Sequence, residues 1–403
     1  MNYWAAGSTN LIETQLPLFD LMAEANVHGK QLAQEMYNCS GTVFFHNLDL
    51  WGDPTPTDNY TESTMWPMGA AWLSQHMMEQ YRYTGDTDFL AQVAYPFFVD
   101  VAKFYECYAF EWDGYMVTGP SISPENAFGV PDYFTVAGEK REMDIAPAMD
   151  GQLMTDVFSN LIEAAAVLGI SDGDVAAAKD FLPQIRPQQI GSVGQILEWR
   201  YEYPEKVPGQ KHLSPLYWLH PSWGFSPLVN ETLAGAAQVL LDNRVAHGSG
   251  TTGWSRTWLV NQYARAFRGE DAWAQLTAWF GKYPLPNLWN TDSGSTFQID
   301  GNFGFLSGVT EMLFQSGAGV LHLLPALPSA LPSGQVQGWV GRGNFLVDIA
   351  WEGGRLTQAN VTSRSGGEIQ LMVAGGTTLS VNGNTYAGSM TTEKGSTYVV
   401  TLS

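Results

Sequence analysis

Four short segments of this 403-residue chain set a carboxylic acid among aromatic, amide and imidazole side chains. They are His46-Asn47-Leu48-Asp49-Leu50-Trp51, Pro120-Ser121-Ile122-Ser123-Pro124-Glu125-Asn126, Gly194-Gln195-Ile196-Leu197-Glu198-Trp199 and Phe297-Gln298-Ile299-Asp300-Gly301-Asn302-Phe303. Two acids in unlike surroundings are what hydrolysis of a glycosidic bond needs: one protonates the leaving oxygen, the other directs water or attacks the sugar carbon. Glu198 beside Trp199 has the pattern of an acid whose proton affinity is raised by an aromatic neighbour. Each acid also has a plainer role open to it, since loop aspartates such as Asp49 and Asp300 commonly cap helices or anchor turns. His212 and His220 stand near aromatics, where a hydrogen-bonded structural histidine is the commoner case. His28, His76, His247 and His322 show no ligand spacing, so no metal site is expected. Neither a G-x-S-x-G nucleophile elbow nor a phosphate-cradling glycine loop occurs.

Composition narrows the ligand class. Lys and Arg number 19 against 40 Asp and Glu, a formal net charge of −21, which repels phosphate backbones and anionic lipid. Neither nucleic acid nor membrane is therefore expected as a partner. Charged residues are only 15% of the chain while aromatics are 13%, so uncharged polar groups and rings do much of the surface work. That mixture suits clefts for sugars, whose edges carry hydroxyls and whose C–H faces pack on Trp and Tyr. The 15 Trp residues, among them Trp51, Trp66, Trp72, Trp218, Trp223, Trp254 and Trp289, are mainly core material, with a few available as sugar platforms. Cys39 and Cys107 are the only cysteines; one bridge between them is open, but two buried thiols are the plainer reading. N-x-[ST] triplets stand at Asn38, Asn59, Asn230 and Asn360, a weak pointer to a secretory route. No stretch has the roughly 18 apolar residues of a membrane span.

These segments must be held by helices over most of the chain. Apolar residues recur at helical spacing in Glu13–Tyr37, Met65–Tyr83, Thr87–Tyr108, from Asp150 as a cap to Leu168, and from Ser171 or Asp172 to Leu182. The same holds for Asn230–Asn243, Gly253–Phe267, Asp271–Phe280 and Phe303–Gln315, with long Gly-, Pro- and aromatic-rich connections of the sort that carry function. Past Leu324-Pro325-Ala326-Leu327-Pro328 the helical period gives way to short alternating strands separated by Gly-Gly and Asn-Gly turns. The expected fold is mainly α: a helical toroid over residues 1–325, with a cleft at one rim, then a small β-sandwich over 326–403.

The ordered strings MNYWAAGSTNL (from Met1), HNLDLWGD (His46), WPMGAAWLSQH (Trp66), YTGDTDFL (Tyr83), PSISPEN (Pro120), GQILEW (Gly194), KHLSPLY (Lys211), GTTGWSRTW (Gly250), NTDSGSTFQIDGNFG (Asn290), EMLFQS (Glu311) and LLPALP (Leu323) resemble glycoside hydrolase family 95. Members of that family are α-L-fucosidases with some α-L-galactosidases. The resemblance implies an (α/α)6 toroid or barrel, incomplete at its front, followed by a small β-domain, and an inverting exo-hydrolase releasing terminal α-linked L-fucose from oligosaccharides or plant cell-wall glycans, needing no cofactor. It implies Glu198 as general acid and Asp300 as the residue polarising the attacking water, with Asn47 and Asp49 positioning that water. The substrate-binding set is His46, Trp51, Glu125, Asn126, His212, Trp254 and Asn302. Inversion requires room for a water between the acid and base carboxyls, roughly 6.5–9.5 Å apart. Two departures touch the pocket wall: Phe45 precedes His46 where the family often has a second histidine, and Pro215 replaces a histidine in KHLSPLY. Family members carry an N-terminal β-sandwich, a linker and a first barrel helix ahead of MNYW, so this chain reads as the rear portion of a longer enzyme. L-Galactose selectivity and an inactive sugar-binding fragment are the competing expectations. The substrate class and the sequons imply a secreted protein.

Overall fold

The computed structural model describes residues 1–129 and 141–403. Helices come first: α1 (Leu16–Tyr37), α2 (Thr61–Thr64), α3 (Gly69–Thr84), α4 (Thr87–Phe89), α5 (Tyr95–Tyr108), α6 (Ala148–Leu168) and α7 (Gly173–Phe181). They continue with α8 (Glu231–Ala246), α9 (Gly253–Arg265), α10 (Gly269–Phe280) and α11 (Asp300–Leu313). Between α5 and α6 lie two small antiparallel pairs, β1 (Phe110–Trp112) with β2 (Tyr115–Val117) and β3 (Ser121–Ile122) with β4 (Met143–Asp144). The ends follow local chemistry. Asp172 accepts the Val175 N–H to start α7, Asn230 accepts the Leu233 N–H to start α8, and Thr252 accepts the Ser255 N–H to start α9. Gly85 and Gly169 end α3 and α6 in the left-handed conformation that glycine adopts without strain. Asp150 is not the cap expected from sequence: α6 begins at Ala148, and the Asp150 carboxyl is wholly buried, accepting Thr118 Oγ1 at 2.7 Å and Trp66 Nε1 at 3.3 Å.

The remaining strands are β5 (Phe314–Gly317), β6 (Val320–Leu323), β7 (Gly334–Gly341), β8 (Phe345–Glu352), β9 (Arg355–Ser363), β10 (Gly367–Val373), β11 (Leu379–Val381), β12 (Asn384–Thr385), β13 (Met390–Thr392) and β14 (Thr397–Leu402). They form a four-stranded sheet, β13-β10-β6-β5, facing a six-stranded one, β12-β11-β14-β9-β8-β7. Phe345, Val347, Ile349 and Trp351 alternate inward along β8 and meet Leu321, Ile369 and Leu371 of the other sheet, which makes this unit a sandwich. The helix predicted to reach Gln315 stops at Leu313, and Phe314 opens the first strand. The reason is pairing: residues 314–317 form an antiparallel ladder with 320–323, and β6 in turn runs parallel to β10.

Two apolar cores carry the architecture. One gathers α1, α3, α5, α6 and α7 around Met22, Phe98, Phe104, Leu153 and Phe158; the other joins α8, α9 and α10 to the sandwich. Cys39 and Cys107 are disulfide-bonded, with Cα atoms 5.7 Å apart, so the reading of two thiols is corrected. Tertiary packing brings the residue after α1 against the last turn of α5, a juxtaposition that lies 68 positions apart in the chain.

Candidate active site at the helix N-terminal rim

The starts of four helices are tied together by side chains. Gly69 opens α3 against the backbone of Phe44 and Phe45, whose carbonyls sit where any Cβ would have to go. Trp66, just ahead of α3, donates to Asp150 in the first turn of α6. The Ala148 N–H at the start of α6 donates to the Glu198 carbonyl at 2.9 Å. Glu198 connects to the 123–126 loop, Glu125 to His212, and the His212 ring packs edge-on to Trp254 in the first turn of α9 with centroids 4.6 Å apart. Asn290 closes the series: Gly253 at the start of α9 and Gly301 at the start of α11 both abut it, and the Gly253 N–H donates to the Asp292 carbonyl. Trp254 and Asp300 flank this Asn290 wedge.

Glu198 is the most heavily organised of the predicted residues. Its Oε1 accepts Ser123 Oγ at 2.8 Å, and its Oε2 accepts Asn126 Nδ2 at 3.0 Å and Arg244 Nη2 at 2.5 Å. The side chain is 4% exposed and that of Arg244 not at all. Burial raises the proton affinity of Glu198; Arg244 opposes that rise and the Glu205 carboxylate adds to it. Asn126 is completely buried: Nδ2 donates to Glu198 and, at 3.3 Å, to Glu205, while Oδ1 accepts the Ala127 N–H. Its amide is thus spent on orienting carboxylates. Glu125 Oε2 lies 3.3 Å from His212 Nε2 and 3.6 Å from Lys211 Nζ; the His212 contact foremost, with Lys211, brings its pKa down to about 2.

Asp300 is the first residue of α11, half-buried, and its carboxylate makes no hydrogen bond or ion pair among the described residues. It is not a cap: Ile299 precedes the helix and no side chain caps this end. Asn302 is anchored to the loop ahead of α11. Its Oδ1 accepts the Asn290 N–H at 3.0 Å and its Nδ2 donates to the Leu288 carbonyl at 2.9 Å, so both ends of the amide pin the 288–290 loop.

The 46–51 segment follows Phe44 and Phe45, the residues that abut Gly69 at the start of α3. His46 Nε2 lies 3.1 Å from Asp58 Oδ2, and Asp58 also holds Thr64 and the Tyr60 N–H of the turn that leads to α2. Through α2, which packs on β3, this segment meets the 121–126 loop. Asn47 is exposed and Trp51 is 76% exposed. Asp49 Oδ1 accepts the N–H groups of Trp51 and Asp53, each at 2.9 Å, the turn-anchor arrangement. Among the described residues no hydrogen bond or ion pair joins His46, Asn47, Asp49 or Trp51 to Glu198 or Asp300. The two departures sit at packing positions: Phe45 lies in the core with 2% exposure, and the buried Pro215 presents its carbonyl to Gln152 Nε2. Neither Arg244 nor Glu205 was legible as a site residue, since a helical arginine and a loop glutamate carry no local signature.

A cavity of about 800 Å³ occupies the opposite ends of the same helices, between His76 and Glu79 of α3, Asp156 of α6, Arg265 of α9 and Glu311 of α11. None of the predicted site residues lines it. Glu198, the His212–Trp254 pair and Asp300 lie with the helix starts, whereas the cavity walls include ion pairs such as Arg265–Glu311 and Arg342–Glu79. Among the described residues no group of three or more His, Cys, Asp or Glu side chains is placed to hold a metal ion, and no helix is long and apolar enough to cross a membrane.

Comparison with known proteins agrees with this architecture. The "Glycosyl hydrolase family 95 catalytic domain" matches residues 1–313, and the "Glycoside hydrolase family 95, C-terminal domain" matches 315–401. The chain is 34% identical to "Alpha-L-fucosidase 2" of Arabidopsis thaliana over 90% of its length and 44% of that protein. It is 27% identical to "Probable alpha-fucosidase A" of Aspergillus niger, over 93% of the chain and 50% of the relative. The chain therefore spans about half the length of these curated relatives. Among solved structures, a putative kojibiose phosphorylase from the human microbiome superposes with a TM-score of 0.62 at 9% identity, covering 98% of this chain and 60% of that one. The α-L-rhamnosidase of Streptomyces avermitilis superposes with a TM-score of 0.54 at 12% identity, covering 100% and 38%. At such identities these two likenesses speak to fold alone, a helical toroid followed by a sheet-rich domain.

Proposed function

The chain belongs to glycoside hydrolase family 95, and on that premise we propose that it forms the catalytic part of an inverting exo-hydrolase that releases terminal α-linked L-fucose from oligosaccharides or cell-wall glycans. The observation that carries the reading is Glu198, a buried carboxyl whose proton affinity burial raises. Asp300 stands half-buried at the start of α11 with no hydrogen bond or ion pair among the described residues, and the buried Met1 amino group lies within its field.

In the proposed mechanism Glu198 gives its proton to the glycosidic oxygen as the bond to the anomeric carbon breaks. A water on the other face of the ring attacks that carbon and loses its proton toward Asp300. Asn47 and Asp49 steer that water; Asp49 keeps Oδ2 clear of hydrogen bonds, its Oδ1 being held by the turn. His212 against Trp254 supplies an imidazole edge and an indole face of the kind that sugars bind, and Glu125 holds the His212 ring in place. The disulfide and the exposed Asn38, Asn59 and Asn230 of the sequons support action outside the reducing cytosol.

The test is release of free L-fucose from an α1,2-fucosylated oligosaccharide, compared with Glu198→Gln, with the first-formed anomer read by proton NMR. Loss of a general acid lowers kcat by roughly 100- to 10,000-fold on a poor leaving group. The β-anomer is expected first. No turnover by the unaltered chain, or unchanged turnover by the variant, removes this reading, and initial release of the α-anomer removes inversion.

A further inference from the structure

The proposed acid poses an electrostatic difficulty. A buried carboxyl touching a buried guanidinium at 2.5 Å is stabilised as the carboxylate, yet a proton donor has to hold its proton. A single Glu198–Arg244 pair would be neutral overall and would have no reason to take one up. The structure contains a third member. Arg244, from the last turn of α8, spends Nη2 on Glu198 and Nη1 on Glu205 Oε2 and on the Pro208 carbonyl. Asn126 Nδ2 reaches both carboxylates, Glu198 at 3.0 Å and Glu205 at 3.3 Å. Glu205 is held there by backbone pairing of its neighbours with the 127–129 segment: Gly129 N–H to the Pro204 carbonyl and Lys206 N–H to the Ala127 carbonyl.

We propose that Glu205 is a positioning residue for the acid step: with Arg244 it makes a cluster of two carboxyls and one guanidinium that retains one proton, and Ser123 and Asn126 fix the Glu198 carboxyl that delivers it. This rests on Glu198 being the proton donor. The charge balance supplies the physical reason. With both carboxyls ionised the cluster carries a net −1 in a site where Arg244 is fully buried, and one proton removes that charge. Glu205, at 19% side-chain exposure, is the member nearest solvent and so the route by which the proton is replaced after each turnover. Other charges around Glu198 are already matched or distant in role. Glu125 is tied to His212 and Lys211, and Asp150, behind the Ala148 N–H at the start of α6, is held by Thr118 and Trp66.

The experiment is the pH dependence of kcat/KM on the same α1,2-fucosylated oligosaccharide for the unaltered chain, Glu205→Gln, Glu205→Asp and Glu198→Gln. Neutralising Glu205 leaves Arg244 acting on Glu198 alone, so the alkaline limb moves to lower pH by about one unit or more and activity at pH 7 falls about tenfold. Glu205→Asp, which keeps the charge, restores the limb. A merely structural role would lower activity equally at every pH, and an unmoved limb in Glu205→Gln overturns the proposal. Should Glu198→Gln remain active, the underlying assignment of the acid fails instead. Carboxyl-carbon NMR of the unaltered protein gives a readout independent of variant folding. Two coupled resonances that retain one proton above pH 6 are expected, and two independent carboxylates ionised below pH 5 overturn the cluster.

Discussion

At the scale of single residues, the rim separates side chains with a free chemical end from those already committed. Asp300 makes no hydrogen bond among the described residues and Glu198 has a carboxyl whose neighbours are all chosen for it, whereas Asn302 already holds the 288–290 loop with one acceptor and one donor. Asn302→Ala is therefore expected to act first through the loop that leads to Asp300. It leaves the buried Asn290 N–H without its partner, at a cost of about 1–3 kcal/mol, while the exposed Leu288 carbonyl turns to water. Thermal unfolding checks the stability loss, and a rise in KM with no change in melting temperature would return Asn302 to the sugar pocket. Sequence patterning finds such acids but not their partners: Glu198 stands out beside Trp199, while Arg244 is one arginine in a helix until folding brings it 46 positions back along the chain to Glu198.

At the scale of elements, what was legible is whatever depends on near neighbours. The caps of α7 and α8, the ends of α3 and α6 at glycine and the inward alternation of β8 all follow from local hydrogen bonding and period. What failed is whatever depends on distant surroundings. Phe314-Gln315-Ser316-Gly317 is too short and mixed to carry a period of its own, and its partner β6 decides the matter. Asp150 looked like a cap, but it ends in the wall between α3 and α6, where burial raises its pKa to about 7. The proton held in the folded state sets a sign. A carboxyl with raised folded pKa supports folding below its unfolded value near 4 and loses that support as pH rises toward 7. Stability is thus expected to fall between about pH 4 and pH 7 in the unaltered chain, and less steeply in Asp150→Asn, which keeps the acceptor for Thr118. Melting temperatures across that range decide it, and parallel slopes would exclude Asp150 as the source.

At the scale of the whole molecule, the second half of the helical part shares a core with the sandwich, and an ion pair, Arg342 to Glu79 of α3, joins the sandwich to the first half. The helical part is also closed on itself by Cys39–Cys107, which shortens the unfolded chain across 68 positions and contributes about 4 kcal/mol on the chain-entropy account. Cys39→Ser with Cys107→Ser, or reduction under non-denaturing conditions, is expected to lower the melting temperature by several degrees, and an unchanged value would show that the packing of α1 on α5 suffices. The cavity at the far ends of the helices has a mechanical consequence of its own. If 800 Å³ were dry, its collapse on unfolding would amount to about 480 mL/mol, several times the −20 to −100 mL/mol typical of proteins, and modest hydrostatic pressure would unfold the chain. Walls carrying Glu79, Asp156, Arg265 and Glu311 suit this pocket to hydrogen-bonded water rather than vacuum, so a volume change on unfolding within the ordinary range is expected.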